Sequence, residues 1–165
     1  MTQAAFTIDG TYQSTVFCLS LIVLVSFSFA LALGVPCKHP CLLVSTTTEI
    51  IALDYNNATT YPIISNLTRA VAIDVHFSMH YIFWSDVVER NIQRANINGT
   101  NITVIHNNTV SDGLAVEWKS SQLYWTDRNG TISISDLEGN NKRILLSSQG
   151  GLASYRGIVL DPERG

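Results

Sequence analysis

Six asparagines stand two residues before a threonine, at Asn57, Asn66, Asn98, Asn101, Asn107 and Asn129. The chemistry this spacing permits is N-glycosylation, and the chain's Asn, Ser and Thr content would produce only about two such triplets by chance. Cys37 and Cys41 form a C-x3-C pair around Lys38-His39-Pro40. In an oxidising compartment such a pair most simply closes on itself as a disulfide, while the alternative, a metal site shared with His39, lacks a second pair of ligands. His76 and His80 are four apart, the spacing of a metal pair on a helix, but they flank a turn after a strand, where residues four apart share no helical face. No G-x-S-x-G elbow and no glycine-rich phosphate loop is present, and Gly150-Gly151 reads as a linker. With no nucleophile beside a base, the expectation is a non-enzyme with no catalytic residue, no metal and no cofactor.

The compartment that such chemistry requires is consistent with the first forty residues. From Val16 to Val35 the chain carries no charge, a length sufficient to cross a bilayer as a helix. Ala30-Leu31-Ala32 supplies the small-x-small pattern of a cleavage site, and Gly34-Val35-Pro36 ends the helix behind it. The segment before Val16 has no Lys or Arg and contains Asp9, which leaves a signal anchor as the alternative. The six acceptor triplets downstream favour a cleaved signal peptide over residues 1–34, which would also remove Cys18. Residues 35–41 then form a short cysteine-containing lead-in, and 42–165 the folded part. Only 14% of the residues are charged and the net charge is -3, so no basic surface exists to neutralise a nucleic acid backbone.

The elements that hold these residues are set by a repeat. Phe83-Trp84-Ser85-Asp86 and Tyr124-Trp125-Thr126-Asp127 share the order aromatic, Trp, hydroxyl, Asp, with the tryptophans 41 residues apart. Behind each motif, Ile92 to Gly99 matches Ile132 to Gly139 at a spacing of 40, as Val104-Ile105 matches Ile144-Leu145. Ahead of them, Ala72-Ile73-Asp74 is set against Ala115-Val116-Glu117, and a further copy opens at Gly157-Ile158-Val159-Leu160-Asp161-Pro162. Leu42 to Ser45, Glu49 to Asp54 and Tyr61 to Ile64 fit the latter part of a preceding copy. Two full repeats with a partial one on either side are expected.

Each repeat reads as strands, because short runs of Val, Ile, Tyr, Trp and Thr alternate with turn residues every eight to twelve positions or so. In the second copy the strands are 113–118, 123–126, 131–137 and 142–146, with Asn129-Gly130 as a two-residue hairpin in which both positions take positive φ. Four antiparallel strands in sequence order make a propeller blade, so the predicted fold is all-β, a partial β-propeller preceded by an apolar signal helix. Blades cover one another on both faces, which accounts for Phe83, Trp84, Tyr124 and Trp125 as packing groups. Asp86 and Asp127, at strand ends, are placed to accept backbone N–H or Arg donors across a blade junction. Ser85 and Thr126 complete motifs that read as architecture rather than as a site.

The FWSD and YWTD motifs, with I-x-R-A-N-I-N-G and G-L-A-V-E-W around them, resemble the class B (YWTD) repeat of the low-density lipoprotein receptor family. The strand-rich LLVSTTTEIIALD behind a leader is most like the first propeller of the LDL-receptor-related Wnt co-receptors. The resemblance implies a six-bladed ring in a receptor or matrix protein, binding secreted or cell-surface protein ligands such as Wnt or a Wnt antagonist. It implies contact with the membrane only through the leader or a downstream span. Six blades need roughly 240 residues, so the chain reads as a truncated propeller. In those co-receptors, acidic residues on one rim take part in ligand binding. The matching positions here are Thr68-Arg69, Glu89-Arg90 and Arg128-Asn129, and of these only Glu89 is acidic. The rim candidates are therefore Arg69, Glu89, Arg90 and Arg128, whose cations would repel a basic ligand edge. A structural matrix component of the same fold is the alternative function, and a propeller enzyme of the esterase or strictosidine-synthase kind is the least favoured.

Overall fold

The computed structural model describes residues 22–25, 41–54, 56–148 and 154–161. They form twelve strands in three four-stranded antiparallel sheets, as expected of an all-β chain. Sheet I comprises β1 (Ile22–Val25), β2 (Cys41–Ser45), β3 (Ile50–Asp54) and β4 (Thr59–Ile64). Sheet II is built from β5 (Ala70–His76), β6 (Tyr81–Asp86), β7 (Asn91–Asn96) and β8 (Thr103–Asn107). Sheet III contains β9 (Gly113–Glu117), β10 (Gln122–Asp127), β11 (Thr131–Asp136) and β12 (Arg143–Ser147). Each sheet is a meander with neighbours in chain order, which short turns between antiparallel strands enforce. Pro62 is accommodated because β4 is an edge strand, where a missing N–H leaves no ladder bond unmade.

The described residues at the amino end add a strand to what the sequence indicates. Within the stretch expected to be a signal helix, the four described residues form β1, which pairs with β2 from Ile22 opposite Val44 to Val25 opposite Cys41. An uncharged run suits a strand covered on both faces as well as it suits a helix, and apolarity alone does not separate them. The remainder of residues 1–40 lies outside the described residues, including Cys18, Cys37, His39 and the expected cleavage site. Upstream there are consequently four strands, where the sequence indicated only the latter part of a repeat. Among the described residues no helix is long and apolar enough to cross a membrane.

The sheets stack face to face. Trp84, Ile73, Val75, Ile82, Ala95 and Ile97 of sheet II pack with Leu43, Ile50, Ala52 and Ile64 of sheet I. Trp125, Leu114, Val116, Leu123 and Leu137 of sheet III pack with Ala72, Phe83 and Ile92 of sheet II. Trp84 and Trp125 are fully buried, and burying an aromatic of this size stabilises by roughly 2 to 3 kcal/mol. The neighbouring aromatic points the other way: Phe83 enters the second cluster while Trp84 enters the first. Alternation along a strand therefore lets one dipeptide serve two junctions.

Register explains the uneven repeat spacing. Ser85 faces Ile92 and Thr126 faces Ile132, so the turn after β6 has one residue more than the turn after β10. That turn is a three-residue loop, 128–130, in which Gly130 alone has positive φ (75°) and its N–H bonds the carbonyl of Asp127 at 2.9 Å. The two-residue hairpin with positive φ at Asn129 is not formed, since an added residue in the left-handed region completes the turn instead. Ile73 faces Trp84 and Leu114 faces Trp125, which makes Asp74 the counterpart of Ala115 and His76 that of Glu117. The correspondence drawn from sequence is thus shifted by two, and β5 carries an irregularity between Ala70 and Ile73 ahead of it.

Candidate functional site: a loop rim at one end of the stack

The loops at one end are the turns 46–49, 87–90 and 128–130 together with the links between sheets at 65–69 and 108–112. Backbone bonds tie link to turn: Leu67 N–H to the carbonyl of Thr48 at 2.9 Å, and Thr109 N–H to that of Arg90 at 2.9 Å. Arg90 adopts φ 56°, a left-handed conformation that a non-glycine residue holds only where its surroundings fix it.

Asp86 organises this rim. Its Oδ2 accepts from the N–H groups of Thr68 (3.0 Å) and Arg69 (2.9 Å), and its Oδ1 from the Thr68 hydroxyl (2.7 Å) and the N–H groups of Val88 and Glu89 (both 3.0 Å). Burial pushes this carboxyl up, but the donors of Arg69, Glu89 and Thr68 outweigh it and hold the group below its ordinary range. Asp86 therefore grips the preceding link across the junction, as its position at a strand end implied. Asp127 differs: its Oδ1 accepts the Asn129 N–H at 2.9 Å, within its own turn. In its place Arg128 spans the junction, with Nε and Nη2 donating to the two carboxylate oxygens of Asp112 at 3.0 and 2.8 Å. This fork, with burial acting against it, raises the Arg128 pKa above its ordinary value.

The hydroxyl of each motif holds the link that follows. Ser85 donates to the carbonyl of Ser111 at 2.9 Å and Thr126 to that of Arg156 at 2.6 Å. All four positions of the first motif therefore face junctions: Phe83 and Ser85 forward, Trp84 and Asp86 backward.

The four rim candidates separate into two kinds. Arg128 is committed to Asp112, whereas among the described residues Arg69, Glu89 and Arg90 enter no ion pair. These three are exposed on backbone that Asp86 and Thr109 hold, with Val88 exposed (58%) between the motif and Glu89. The result is a rigid edge of two cations, one anion and an apolar side chain. Among the described residues no three His, Cys, Asp or Glu side chains are grouped to hold a metal ion.

All six glycosylation candidates are exposed. Asn66, Asn107 and Asn129 lie at the rim end, and Asn57, Asn98 and Asn101 at the other. Asn98 Oδ1 accepts from the N–H and hydroxyl of Thr100 at 3.2 and 2.7 Å, leaving its amide nitrogen without a partner. Cys41 is held in a disulfide; Cys37, its expected partner, lies outside the described residues. His76 and His80 do not converge: His76 is buried and His80 sits in the turn with φ 60°.

Sequence reasoning missed Asp74, a fully buried carboxylate that accepts the Val116 N–H of the next sheet at 2.7 Å. It also missed His106, which is buried between β8 and sheet III. Asp74 acts on a residue 42 positions away and His106 on one 29 positions away, so no local pattern marks them.

Comparison with known proteins agrees with this architecture. Residues 80–117 match the low-density lipoprotein receptor repeat class B. The chain is 35% identical over 106 residues to low-density lipoprotein receptor-related protein 5 of Mus musculus, covering 61% of this chain and 6% of that protein. It superposes on a chain of a nidogen/laminin complex with a TM-score of 0.66 at 25% identity, over 76% of this chain and 49% of that one. An auxiliary nutrient binding protein from Bacteroides thetaiotaomicron shares the fold, with a TM-score of 0.63 at 14% identity over 85% of this chain and 33% of that one.

Proposed function

We propose that this chain, which carries the low-density lipoprotein receptor class B repeat on a partial β-propeller, is an extracellular protein-binding module without enzymatic activity. One observation carries the proposal: Arg69, Glu89 and Arg90 project unpaired from a rim whose backbone the Asp86 carboxylate fixes. A rigid loop edge with unneutralised charge binds without an ordering cost. The likeness to low-density lipoprotein receptor-related protein 5 supports a place in a receptor ectodomain; the ligand class we propose is a Wnt or a Wnt antagonist. The arginines select a ligand edge that is not basic. A leader directing the chain into the secretory pathway and glycans at the six exposed asparagines belong to the same reading.

The likeness to nidogen in its complex with laminin supports a second reading, a structural matrix component whose partner is a laminin-like protein. Surface titration of the secreted chain over an immobilised Wnt, a Wnt antagonist and laminin separates the two. Binding that weakens tenfold or more in Arg69→Glu and Arg90→Glu supports rim recognition. Binding to none of them, or binding that both charge reversals leave intact, counts against it.

A further inference from the structure

We propose that the junction between sheets II and III is an acid-sensitive clasp, in which two neutral histidines of sheet II each fasten to a serine of sheet III and let go when protonated.

His106 on β8 is buried, with its ring 4.4 Å from that of Trp125 at 32° and its Nε2 2.9 Å from Ser135 Oγ. Ser135 donates its hydroxyl hydrogen to the carbonyl of Asp136 at 2.8 Å, so toward His106 it can only accept. The network therefore assigns the proton to Nε2 and leaves Nδ1 bare. His76, at the end of β5, repeats the arrangement near the innermost strands. Its Nδ1 accepts the Met79 N–H at 3.3 Å, so Nε2 carries the hydrogen and donates to Ser121 Oγ at 3.2 Å. A second proton at Nδ1 would set two N–H groups against each other beside Met79.

The charges facing each ring do little to accommodate a cation. Toward His106 the elements of sheet III present Lys142 and Asp136. The Lys142 Nζ lies 5.3 Å from the centre of the Trp125 ring on which His106 stacks. The Asp136 carboxylate is engaged by the N–H groups of Glu138 and Asn140 and by the Asn141 amide. Toward His76 the facing charge is Glu117, whose oxygens accept from Lys119 N–H and from the N–H and hydroxyl of Ser120. Burial, then Lys142, lowers the His106 pKa to about 4, against the opposing pull of Asp136. Burial lowers that of His76 as well, outweighing the backbone hydrogen bonds at His76 and Trp118 and the charge of Glu117.

The neighbouring junction is built without this device at the corresponding position. Ile64 faces Ile50 as His106 faces Ile92, so an apolar residue packs toward Trp84 where His106 packs toward Trp125. Acid should therefore loosen one junction and spare the other.

The sign follows from linkage. Each histidine titrates lower folded than unfolded, so the clasp is complete above the unfolded value of 6.5 and is lost as pH falls through the folded values, about 4 for His106. For His106 alone, the equilibrium for opening rises roughly twenty-fold between pH 7 and pH 5.

The test is hydrogen exchange of the full chain at pH 7 and pH 5, corrected for intrinsic rates and read by peptide. Protection of β8 and β11 peptides should fall roughly twenty-fold or more, with β3 and β4 little changed. A doubly substituted His76→Gln/His106→Gln chain, able to donate to both serines but not to titrate, should lose this pH dependence. Equal loosening of both junctions, no loosening, or the same loss in the variant overturns the proposal. Titration of the two imidazoles by NMR in the unsubstituted chain is an independent check. A His106 value near 4 together with a His76 value lowered from 6.5 supports the clasp, and values of 6.5 or above for both overturn it.

Discussion

A Cβ built on Gly99 would lie 2.0 Å from the carbonyl oxygen of Ile63. Gly99 occupies the turn after β7 with φ 82°, and Gly139, with φ 86°, stands at the same place after β11, where its Cβ would lie 2.7 Å from the oxygen of Ile105. Each glycine thus lets a turn rest on the outer strand of the sheet before it. Gly99→Ala and Gly139→Ala should each cost about 2 to 4 kcal/mol, from left-handed strain plus displacement of a neighbouring backbone. Urea unfolding of the purified chain measures this, and a cost below about 0.5 kcal/mol for both would disprove the close approach.

Asp86 and Asp127 hold the same motif position but not the same load. Asp86→Asn should destabilise by about 2 to 3 kcal/mol, because an amide presents hydrogens where four backbone N–H groups point at one oxygen or the other. Asp127→Asn should cost less than about 1 kcal/mol. The depressed pKa of Asp86 adds an acid limb: its stabilisation is present above the unfolded value of 3.8 and is lost as pH falls through the lower folded value. Denaturation midpoints between pH 5 and pH 2 should show a slope that Asp86→Asn reduces.

Trp84→Ala and Trp125→Ala should each cost about 3 to 5 kcal/mol, the range for a large buried aromatic. The indole Nε1 of each is buried without a partner, so Phe at either position removes volume together with an unsatisfied donor. Phe should therefore recover more than half of the loss, which thermal melting of the four variants would resolve.

The fork between Arg128 and Asp112 is half open to solvent on the arginine side. Arg128→Ala is expected to cost no more than about 1 kcal/mol. Doubling the salt concentration should shrink the difference from the unsubstituted chain. A salt-independent loss of several kcal/mol would show that the residue does something other than pair.

Glycosylation predicts a mass for each site. Secretion from mammalian cells followed by enzymatic deglycosylation and peptide mapping should find glycan at Asn57, Asn66, Asn98, Asn101, Asn107 and Asn129, all of which are exposed. Absence of glycan from all six would remove the secretory reading.

Much of the architecture could be read from residue order, and particular residues show why. The tryptophans, the strands around them and the turn glycines are local patterns, and their repetition at 40 or 41 residues makes them visible. The upstream correspondence slipped by two because β5 carries an irregularity ahead of Ile73, and a bulge adds residues without changing the hydrophobic pattern. The short strand Ile22–Val25 was hidden by an apolar run that fits helix and strand alike. At the rim, Arg69, Glu89 and Arg90 were identifiable as loop charges. That Arg128 is neutralised and the others are not depends on Asp112, which sequence inspection had no reason to single out.

The backward orientation of the tryptophans gives the stack a direction. Trp84 is buried against residues that precede it in the chain, and so is Trp125. A repeat leaving the ribosome therefore meets its packing surface already made, and each sheet can close on its predecessor without waiting for the next. Assembly proceeds like a course of bricks laid from one end, every contact spanning about one repeat length, which keeps the search short for a fold made only of strands.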